Sequence, residues 1–398
     1  MRLAFLLLMI LSVSSSSWGN DRLQALPDNT ALSLGSYVTS CRARIGQVGT
    51  GYENCGAITD MGGMGYDPYN RKAYLFGGGH ASTMRDDVDV FDFESLTWKE
   101  AYKPTPCNAM KLPDNYDTIK GAWKSSGLPV ARHTYDGLIM VPTPRPTLVM
   151  MYPQIILQGI NCARAVPPQS TYQEGAIARF DPKEATWSFD TDAVLPGGNT
   201  QYTRPRLAAF EYDPPSRRIV GVNAYGMWSY DIDTRIMAKH LDYNTAEMSY
   251  AQNLVYNPED RKHYYVQNNG TVWALTLDRN DWGKSILQKL PVSGTKPAAS
   301  ETGWAWDATN SVIGGGVTKG AFYAFDPKTR TWSSTIMQTT GGTITSVIYH
   351  ALVYDPIDNV YLFLDQDPNN GQARITWVYR YKKARELLQV PQPTVTLE

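Results

Sequence analysis

The sequence predicts an all-β fold assembled from repeated four-stranded units. The 25 Tyr and 11 Trp residues favour strands, while the 32 Gly and 25 Pro residues supply many turns between them. A turn of the form aromatic-Asp-Pro also recurs along the chain. Recurrence of one turn at similar intervals indicates a repeat architecture, in which each unit buries its faces against its neighbours.

The clearest unit begins at Tyr66-Asp67-Pro68. It continues with the apolar run Lys72–Phe76, then with the triplet Gly77-Gly78-Gly79, then with residues 87–92 and finally with Thr97-Trp98. Three runs of strand length separated by turn residues, and a short fourth run marked by Thr-Trp, predict four consecutive antiparallel strands.

The same pattern recurs further along the chain. Phe180-Asp181-Pro182 is followed by Thr186-Trp187, and Phe325-Asp326-Pro327 is followed by Thr331-Trp332. When degenerate copies of the turn are included, six units are anchored on Pro68, Pro142, Pro214, Pro258, Ala308 and Pro356. The last three intervals are close to roughly 50 residues. The first two are lengthened by insertions at residues 102–127 and 159–175.

Two of these units resemble the kelch repeat, through Gly77-Gly78-Gly79 in the first unit and Gly314-Gly315-Gly316 with Phe325-Asp326-Pro327 in the fifth. Over residues 57–384 the chain resembles the kelch and galactose-oxidase-like propeller superfamily. This resemblance implies a six- or seven-bladed kelch-type β-propeller, whose radially packed blades leave only short strand edges. Residues 30–57 could form a seventh blade or complete the last one, and the sequence leaves both possibilities open.

The start of the chain predicts export. A short positively charged start is followed by an apolar run at residues 3–11 and by small residues that end at Gly19. This order is typical of a secretory signal peptide, and the apolar run is too short to span a bilayer. We therefore expect a signal peptide at residues 1–19 and a single propeller domain at residues 20–398, secreted or periplasmic, without a membrane span after cleavage.

The four cysteines fit an exported protein, in which four thiols most often form two disulfides. They are Cys41, Cys55, Cys107 and Cys162. Three pairings are possible, and the sequence does not choose among them. Pairing near neighbours would give Cys41–Cys55 and Cys107–Cys162.

Composition and motifs exclude several function classes. The formal net charge is −1 and no basic stripe is present, so we expect no nucleic-acid partner. No P-loop, Rossmann fingerprint or nucleophile elbow occurs. The histidines form no local pair of the kind that binds metal, so we expect no metal site. A copper-radical centre would need a cysteine that the disulfides already use. The sequence names no cofactor, and we expect a monomer.

The resemblance implies that the loops before the first strand and after the second strand of each blade gather on one face, around the axis. Alternate residues upstream of each anchor should then share that face. The substrate-binding residues predicted there are Arg132, Arg204, Arg206 and Gln252, and the catalytic residues are His80, His133, Tyr250, Tyr349 and His350. A one-residue irregularity in the second unit would instead turn His133 and Tyr135 towards the axis.

Closer to the anchors the same face becomes apolar. The residues four positions before each anchor are Met64, Leu138, Phe210, Leu254, Trp304 and Leu352. A polar rim above an apolar neck is the arrangement that a pocket at the mouth of a propeller requires. His240 and His263 fall outside these positions, and we expect both at the surface.

Three functions fit this face. The first is action on an acidic carbohydrate by a polysaccharide lyase, in which Arg204 or Arg206 neutralises a uronic carboxylate, a histidine removes the C5 proton and a tyrosine protonates the leaving oxygen. The second is a periplasmic sugar mutarotase or epimerase. The third is a non-enzymatic propeller that binds glycan or protein, because fold alone does not determine function.

Overall fold

The computed structural model describes residues 19–37, 62–77, 86–110, 114–142, 145–151, 154–156, 172–174, 176–192, 208–243, 245, 247–249, 252–298, 302–345, 347–367 and 370–383. These residues form an all-β propeller of six blades, each an antiparallel sheet with four main strands. The propeller predicted from the sequence is thereby confirmed, and its blade number is six.

The blades follow one another along the chain, with the first strand of each nearest the axis. Blade 1 consists of Gly63–Asp67, Lys72–Phe76, Asp89–Asp92 and Thr97–Glu100. Blade 2 consists of Leu138–Val141, Thr147–Met150, Ile177–Asp181 and Thr186–Asp190. Blade 3 consists of Ala209–Asp213, Arg218–Asn223, Gly226–Asp231 and Met237–Asp242. Blade 4 consists of Asn253–Asn257, Lys262–Val266, Val272–Thr276 and Ile286–Lys289.

The last two blades carry an extra edge strand each. Blade 5 consists of Trp304–Asp307, Val312–Thr318, Ala321–Asp326 and Thr331–Ile336, with Ser293–Gly294 added in parallel at its outer edge. Blade 6 consists of Val347–Asp355, Val360–Asp367, Asn370–Arg380 and Thr30–Ser36, with Gln338–Thr340 added in parallel.

The N-terminal strand decides how the ring closes. Thr30–Ser36 pairs antiparallel with Asn370–Arg380, the third strand of blade 6. The first strands of neighbouring blades contact each other around the whole ring, including those of blades 6 and 1. The beginning of residues 30–57 therefore completes the last blade, as one of the two sequence-based alternatives proposed.

The recurring aromatic-Asp-Pro sequence forms hairpin turns at two places in the blades. The copies anchored on Pro68, Pro214 and Pro356 join the first strand to the second, whereas Phe180-Asp181-Pro182 and Phe325-Asp326-Pro327 join the third strand to the fourth. In blade 1 the Asp67 carboxylate accepts hydrogen bonds from the backbone N–H groups of Tyr69 and Asn70, at 2.9 and 3.2 Å. Asp355 makes the same contacts in blade 6, with the N–H groups of Ile357 and Asp358. The aspartate recurs because it satisfies backbone donors that the turn leaves free.

The tryptophans of the Thr-Trp motif lie between blades. The Trp332 indole of blade 5 donates a hydrogen bond to the Gly270 carbonyl of blade 4, at 2.9 Å. The Trp98 indole of blade 1 donates to the Thr376 hydroxyl of blade 6, also at 2.9 Å. Each ring thus joins its blade to the preceding one, which explains why the motif recurs.

One glycine of each triplet is required by close contact with the neighbouring strand. Gly77 and Gly315 both have positive φ, of 154° and 151°. A Cβ atom on Gly77 would lie 2.5 Å from the Gly62 Cα, and one on Gly315 would lie 2.2 Å from the Gly303 carbonyl oxygen. Only glycine fits where the backbones approach this closely.

Elements outside the blades are short. They are the helix Asp21–Gln24, the 3-10 helices Cys107–Ala109 and Trp282–Lys284, and the hairpin strands Tyr116–Asp117, Ala122–Trp123, Gln154–Ile156 and Tyr172–Glu174. In the part of the chain that the structure describes, no helix is both long enough and apolar enough to cross a membrane.

Candidate functional site

A cavity of about 210 Å³ lies where the first strands of all six blades meet. Its wall includes one large apolar residue from the first strand of each blade. These are Met64, Leu138, Phe210, Leu254, Trp304 and Leu352. The six positions that the sequence places in the apolar neck therefore surround one axial cavity.

Strand alternation fails at the entrance to blade 2. Tyr135 has a φ of 44°, in the left-handed region, and the following residue Asp136 is not turned away from the axis. Both residues line the cavity. His133 is buried nearby, with its Nδ1 atom 3.2 Å from the Tyr135 hydroxyl oxygen, but it is not part of the cavity wall.

Asp136 connects three blades beside the cavity. Its carboxyl group accepts hydrogen bonds from the backbone N–H groups of Phe210 and Leu254, at 3.1 and 2.7 Å, and from the Asn253 amide, at 2.5 Å. Burial raises the pKa of Asp136 well above its ordinary value. The neighbouring Glu211 raises the pKa further, while the hydrogen bonds act in the opposite direction. The protonated acid is therefore favoured at higher pH than for an exposed aspartate.

Glu211 places a second carboxyl group in the same wall. It accepts a hydrogen bond of 2.7 Å from the N–H group of Tyr212 and another from the backbone of Tyr256 in blade 4. Burial raises the pKa of Glu211 to about 7, against the effect of these bonds. A carboxyl group with such a pKa exchanges a proton readily near neutral pH.

His350 is held by the same amide that binds Asp136. The Nδ1 atom of His350 lies 3.1 Å from the Oδ1 atom of Asn253, whose Nδ2 group donates to Asp136. Because Oδ1 can only accept, His350 carries its proton on Nδ1. Burial lowers the pKa of His350 to about 3, so its imidazole stays neutral and is a weak base at neutral pH.

Aromatic rings form much of the remaining wall. Tyr66, Trp306 and Tyr354 lie towards the C-terminal ends of their first strands, and Tyr135 lies before the start of its strand. The hydroxyl groups of Tyr66 and Tyr354 donate to Asp355 and Thr309, at 2.5 and 2.8 Å. Among the described residues of the wall there is no lysine or arginine.

Of the predicted site residues that the structure describes with their side chains, only His350 lines the cavity. Arg132 is fully buried elsewhere, and its guanidinium donates to the carbonyl groups of Val130 and Gly121. Gln252 is buried and accepts a hydrogen bond from the N–H group of Asn268, at 2.7 Å. Arg132 thus contacts the carbonyl of an inserted loop rather than the cavity.

The other predicted residues cannot be placed. His80, Arg204, Arg206, Tyr250, Cys41, Cys55 and Cys162 lie outside the described residues. The backbones of Cys107 and Tyr349 are described, but their side chains are not. The disulfides therefore remain a prediction.

The surface position expected for His263 is wrong. His263 is completely buried in the second strand of blade 4, with its Nε2 atom 3.9 Å from a carboxylate oxygen of Asp213. Burial lowers its pKa to about 4. His240 is half-buried, stacks on Trp282 with ring centroids 4.9 Å apart, and has its Nε2 atom 2.7 Å from the Ser229 hydroxyl.

Within the described ranges, no three histidine, cysteine or carboxylate side chains are grouped so that they could hold a metal ion. The chain matches no protein-family model and no curated protein. The arguments for its function therefore rest on the cavity itself.

Proposed function

We propose that this protein is an exported kelch-type propeller that binds a single sugar unit in its axial cavity and interconverts the two anomers of that sugar. The observation that carries the proposal is the pair of carboxyl groups, Asp136 and Glu211, which line one cavity and both have raised pKa values. Two such groups among aromatic walls are suited to proton transfer on a polar ring.

The size of the cavity favours a small ligand. Its volume of about 210 Å³ is below the range of about 300–1,000 Å³ for pockets that hold drug-sized ligands. One sugar ring is a suitable occupant, whereas a polysaccharide lyase must hold several linked units.

The proposed reaction opens and closes the sugar ring. Ionised Glu211 accepts the proton of the anomeric hydroxyl group, the bond between the anomeric carbon and the ring oxygen breaks, and protonated Asp136 donates its proton to that oxygen. The free carbonyl group rotates, and the same steps in reverse give the other anomer. The raised pKa values suit these roles, because one group must be ionised and the other protonated at the same pH.

We propose that the substrate is an acidic sugar, as expected from the sequence. Arg204 and Arg206 precede Ala208, which comes directly before the first strand of blade 3. We expect them to pair with the carboxylate of an acidic sugar whose ring occupies the cavity. Replacement of both by glutamine should then weaken the use of uronic and sialic acids more than the use of neutral hexoses.

The test is anomer exchange measured by NMR saturation transfer, with neutral hexoses, uronic acids and sialic acid. The wild-type protein should accelerate exchange of at least one sugar, and Glu211→Gln and Asp136→Asn should each reduce the acceleration at least tenfold. Asp86→Asn is a matched control, because burial raises the pKa of Asp86 to about 7 although Asp86 does not line the cavity. This variant should keep the activity.

A non-catalytic sugar-binding propeller is the second candidate. It is favoured by the backbone contacts of Asp136 and Glu211, because both carboxyl groups satisfy N–H groups of the innermost strands. Sugar binding without faster exchange would support this candidate and overturn the mutarotase. A rise in the absorbance of unsaturated uronic products with acidic polysaccharides would instead support a lyase.

A further inference from the structure

The backbone nitrogen of Asn20 lies between the two oxygens of one buried carboxylate. Its distances to Oδ1 and Oδ2 of Asp358 are 3.0 and 3.1 Å. Asp358 is 1% exposed and lies in the turn between the first and second strands of blade 6. A peptide nitrogen has one hydrogen to share between these oxygens, whereas an ammonium group has three and forms two full bonds.

The residue before Asn20 is crowded against the same carboxylate. A Cβ atom on Gly19 would lie 2.4 Å from the Asp358 Oδ1 atom and 1.7 Å from the Gln24 amide nitrogen. A side chain at position 19 would therefore displace the Gln24 side chain and the buried Asp358 carboxylate. Gly19 is also the residue after which the sequence predicts cleavage of the signal peptide.

The segment that follows Asn20 lies across the contact between blades 1 and 6, which we call the seam. The Asn20 side-chain amide donates to the Glu94 carbonyl of blade 1, at 2.8 Å. Leu23 is completely buried in a cluster with Phe91 of blade 1 and Leu362 of blade 6. Arg380 of blade 6 donates to the Leu23 carbonyl, at 2.7 Å. This segment therefore joins the first blade to the last.

We propose that hydrolysis of the Gly19–Asn20 bond creates an α-ammonium group that forms an ion pair with Asp358 and stabilises the seam of the propeller. The export peptidase uses water to break the bond, which leaves a carboxylate on Gly19 and an amine on Asn20, and the amine takes up a proton at neutral pH. Processing thereby adds a positive charge beside a buried carboxylate. The proposal does not depend on the chemistry of the cavity.

The neighbourhood of the new amine permits a clean pH test. Its charged groups are Asp21 and Arg22 on the same segment, Arg71 and Glu94 of blade 1, and Asp355, Asp358 and Arg380 of blade 6. Tyr66 also contacts Asp355, and burial raises its pKa far above the ordinary value. No histidine, cysteine or lysine is in this set, so the α-amine is the group that titrates there between about pH 7 and 10.

The first experiment is N-terminal sequencing and intact-mass measurement of the protein exported from a bacterial host. The proposal expects a chain that begins at Asn20. A chain that begins at any other residue would overturn it.

The second experiment compares the melting temperature of the chain that begins at Asn20 with that of a chain that retains Gly19 and has its Gly19 amine acetylated, so that the second chain has no α-ammonium group. Pairing with Asp358 raises the folded pKa of the amine above its unfolded value of about 7.7–8.0. The added stability is then present below that value and is lost as the pH rises through the folded pKa. The chain that begins at Asn20 should melt several degrees higher at pH 7, and the difference should vanish at pH 11.

Asp358→Asn completes the comparison. The substitution should lower the melting temperature of the Asn20 chain more than that of the Gly19 chain, and equal losses at every pH would contradict the ion pair. If this variant does not fold, the rate of acylation of the wild-type Asn20 amine at pH 8 tests whether the amine is paired with Asp358. The proposal expects acylation at least tenfold slower in folded than in urea-unfolded protein. Equal rates would overturn it.

Discussion

Asp136 and Asn253 come from different blades and meet beside the axis, where the Asn253 amide donates a hydrogen bond of 2.5 Å to the Asp136 carboxyl group. The other end of the same amide contacts His350 of blade 6. One asparagine therefore fixes both the position of an acid and the tautomer of a histidine. The side chain of Asn253 carries no charge. This is important, because burial already raises the pKa of the neighbouring Asp136, and a negative charge beside Asp136 would make it still harder to ionise.

Asn253→Asp should destabilise the protein increasingly as the pH rises. The substitution places a second carboxyl group beside Asp136, and two adjacent carboxylates in a buried site resist ionising together. The free energy of unfolding, measured with urea, should fall by about 1–3 kcal/mol at pH 8 and by less at pH 5.

The matched control for this prediction is Asn257→Asp in the same strand. Asn257 accepts a hydrogen bond from the N–H group of Glu259 at 2.9 Å, in the turn position that Asp67 and Asp355 occupy in their blades. We expect little change at either pH. Equal losses for Asn253→Asp at pH 5 and pH 8 would contradict the argument from paired carboxyl groups.

Glu211 should make the stability of the protein depend on pH below neutrality. Burial raises its pKa from 4.5 to about 7, so the folded protein holds its proton more tightly than the unfolded chain. Its contribution is full below about pH 4.5 and is lost as the pH rises to about 7. Glu211→Gln should reduce the fall in unfolding free energy over this interval by roughly 1–3 kcal/mol.

Urea unfolding at several pH values between 4 and 8 measures this effect. Asp86→Asn should also flatten the profile, because burial raises the pKa of Asp86 to about 7. Only Glu211→Gln should also remove the inflection near pH 7 from the rate of anomer exchange. An unchanged stability profile in Glu211→Gln would show that Glu211 is ionised in the folded protein well below pH 7.

The fold is predictable from the sequence because the same short motifs recur in several blades. The Asp67 and Asp355 turns and the interblade Trp98 and Trp332 are local motifs whose physical roles do not change from blade to blade. Alternation along strands was sufficient to find the apolar neck, including Phe210. These features depend on short-range geometry, which the sequence displays directly.

The polar part of the site was harder to predict because it depends on departures from that geometry. Tyr135 reaches the cavity through a left-handed backbone conformation, which is the kind of irregularity that the sequence leaves open as an alternative to strict alternation. Glu211 occupies a position that alternation assigns away from the axis, yet it lines the cavity and bonds to the neighbouring strand. The available signal is an acidic residue, Glu211, between two aromatic residues of a first strand. The sequence predicts a surface position for His263 because a single polar residue does not reveal how deeply it is buried.

Gly315→Ala should destabilise the protein more than Gly320→Ala. Both glycines have positive φ, so each substitution incurs backbone strain of about 1 kcal/mol. A Cβ atom on Gly315 would also lie 2.2 Å from the Gly303 carbonyl oxygen, whereas nothing lies within 4 Å of one on Gly320. Urea midpoints of the two variants make the comparison. A loss at Gly315 no larger than that at Gly320 would mean that the strands can separate without cost.

Arg71→Met should be among the most destabilising single changes in the protein. Arg71 of blade 1 donates hydrogen bonds to Asp355 and Asp358 of blade 6, and both carboxylates are almost completely buried. Removal of the guanidinium leaves two buried acids next to each other without that partner, which typically costs about 3–5 kcal/mol. Acidification to pH 4 should recover part of the loss, because burial already raises the pKa of Asp358 and the variant loses the cation that opposes this effect.

Arg217→Met is the matched control, since Arg217 pairs with Asp233 at the exposed surface, where ion pairs contribute little. Its urea midpoint should be unchanged, and a similar midpoint for Arg71→Met would show that the seam does not depend on this ion pair.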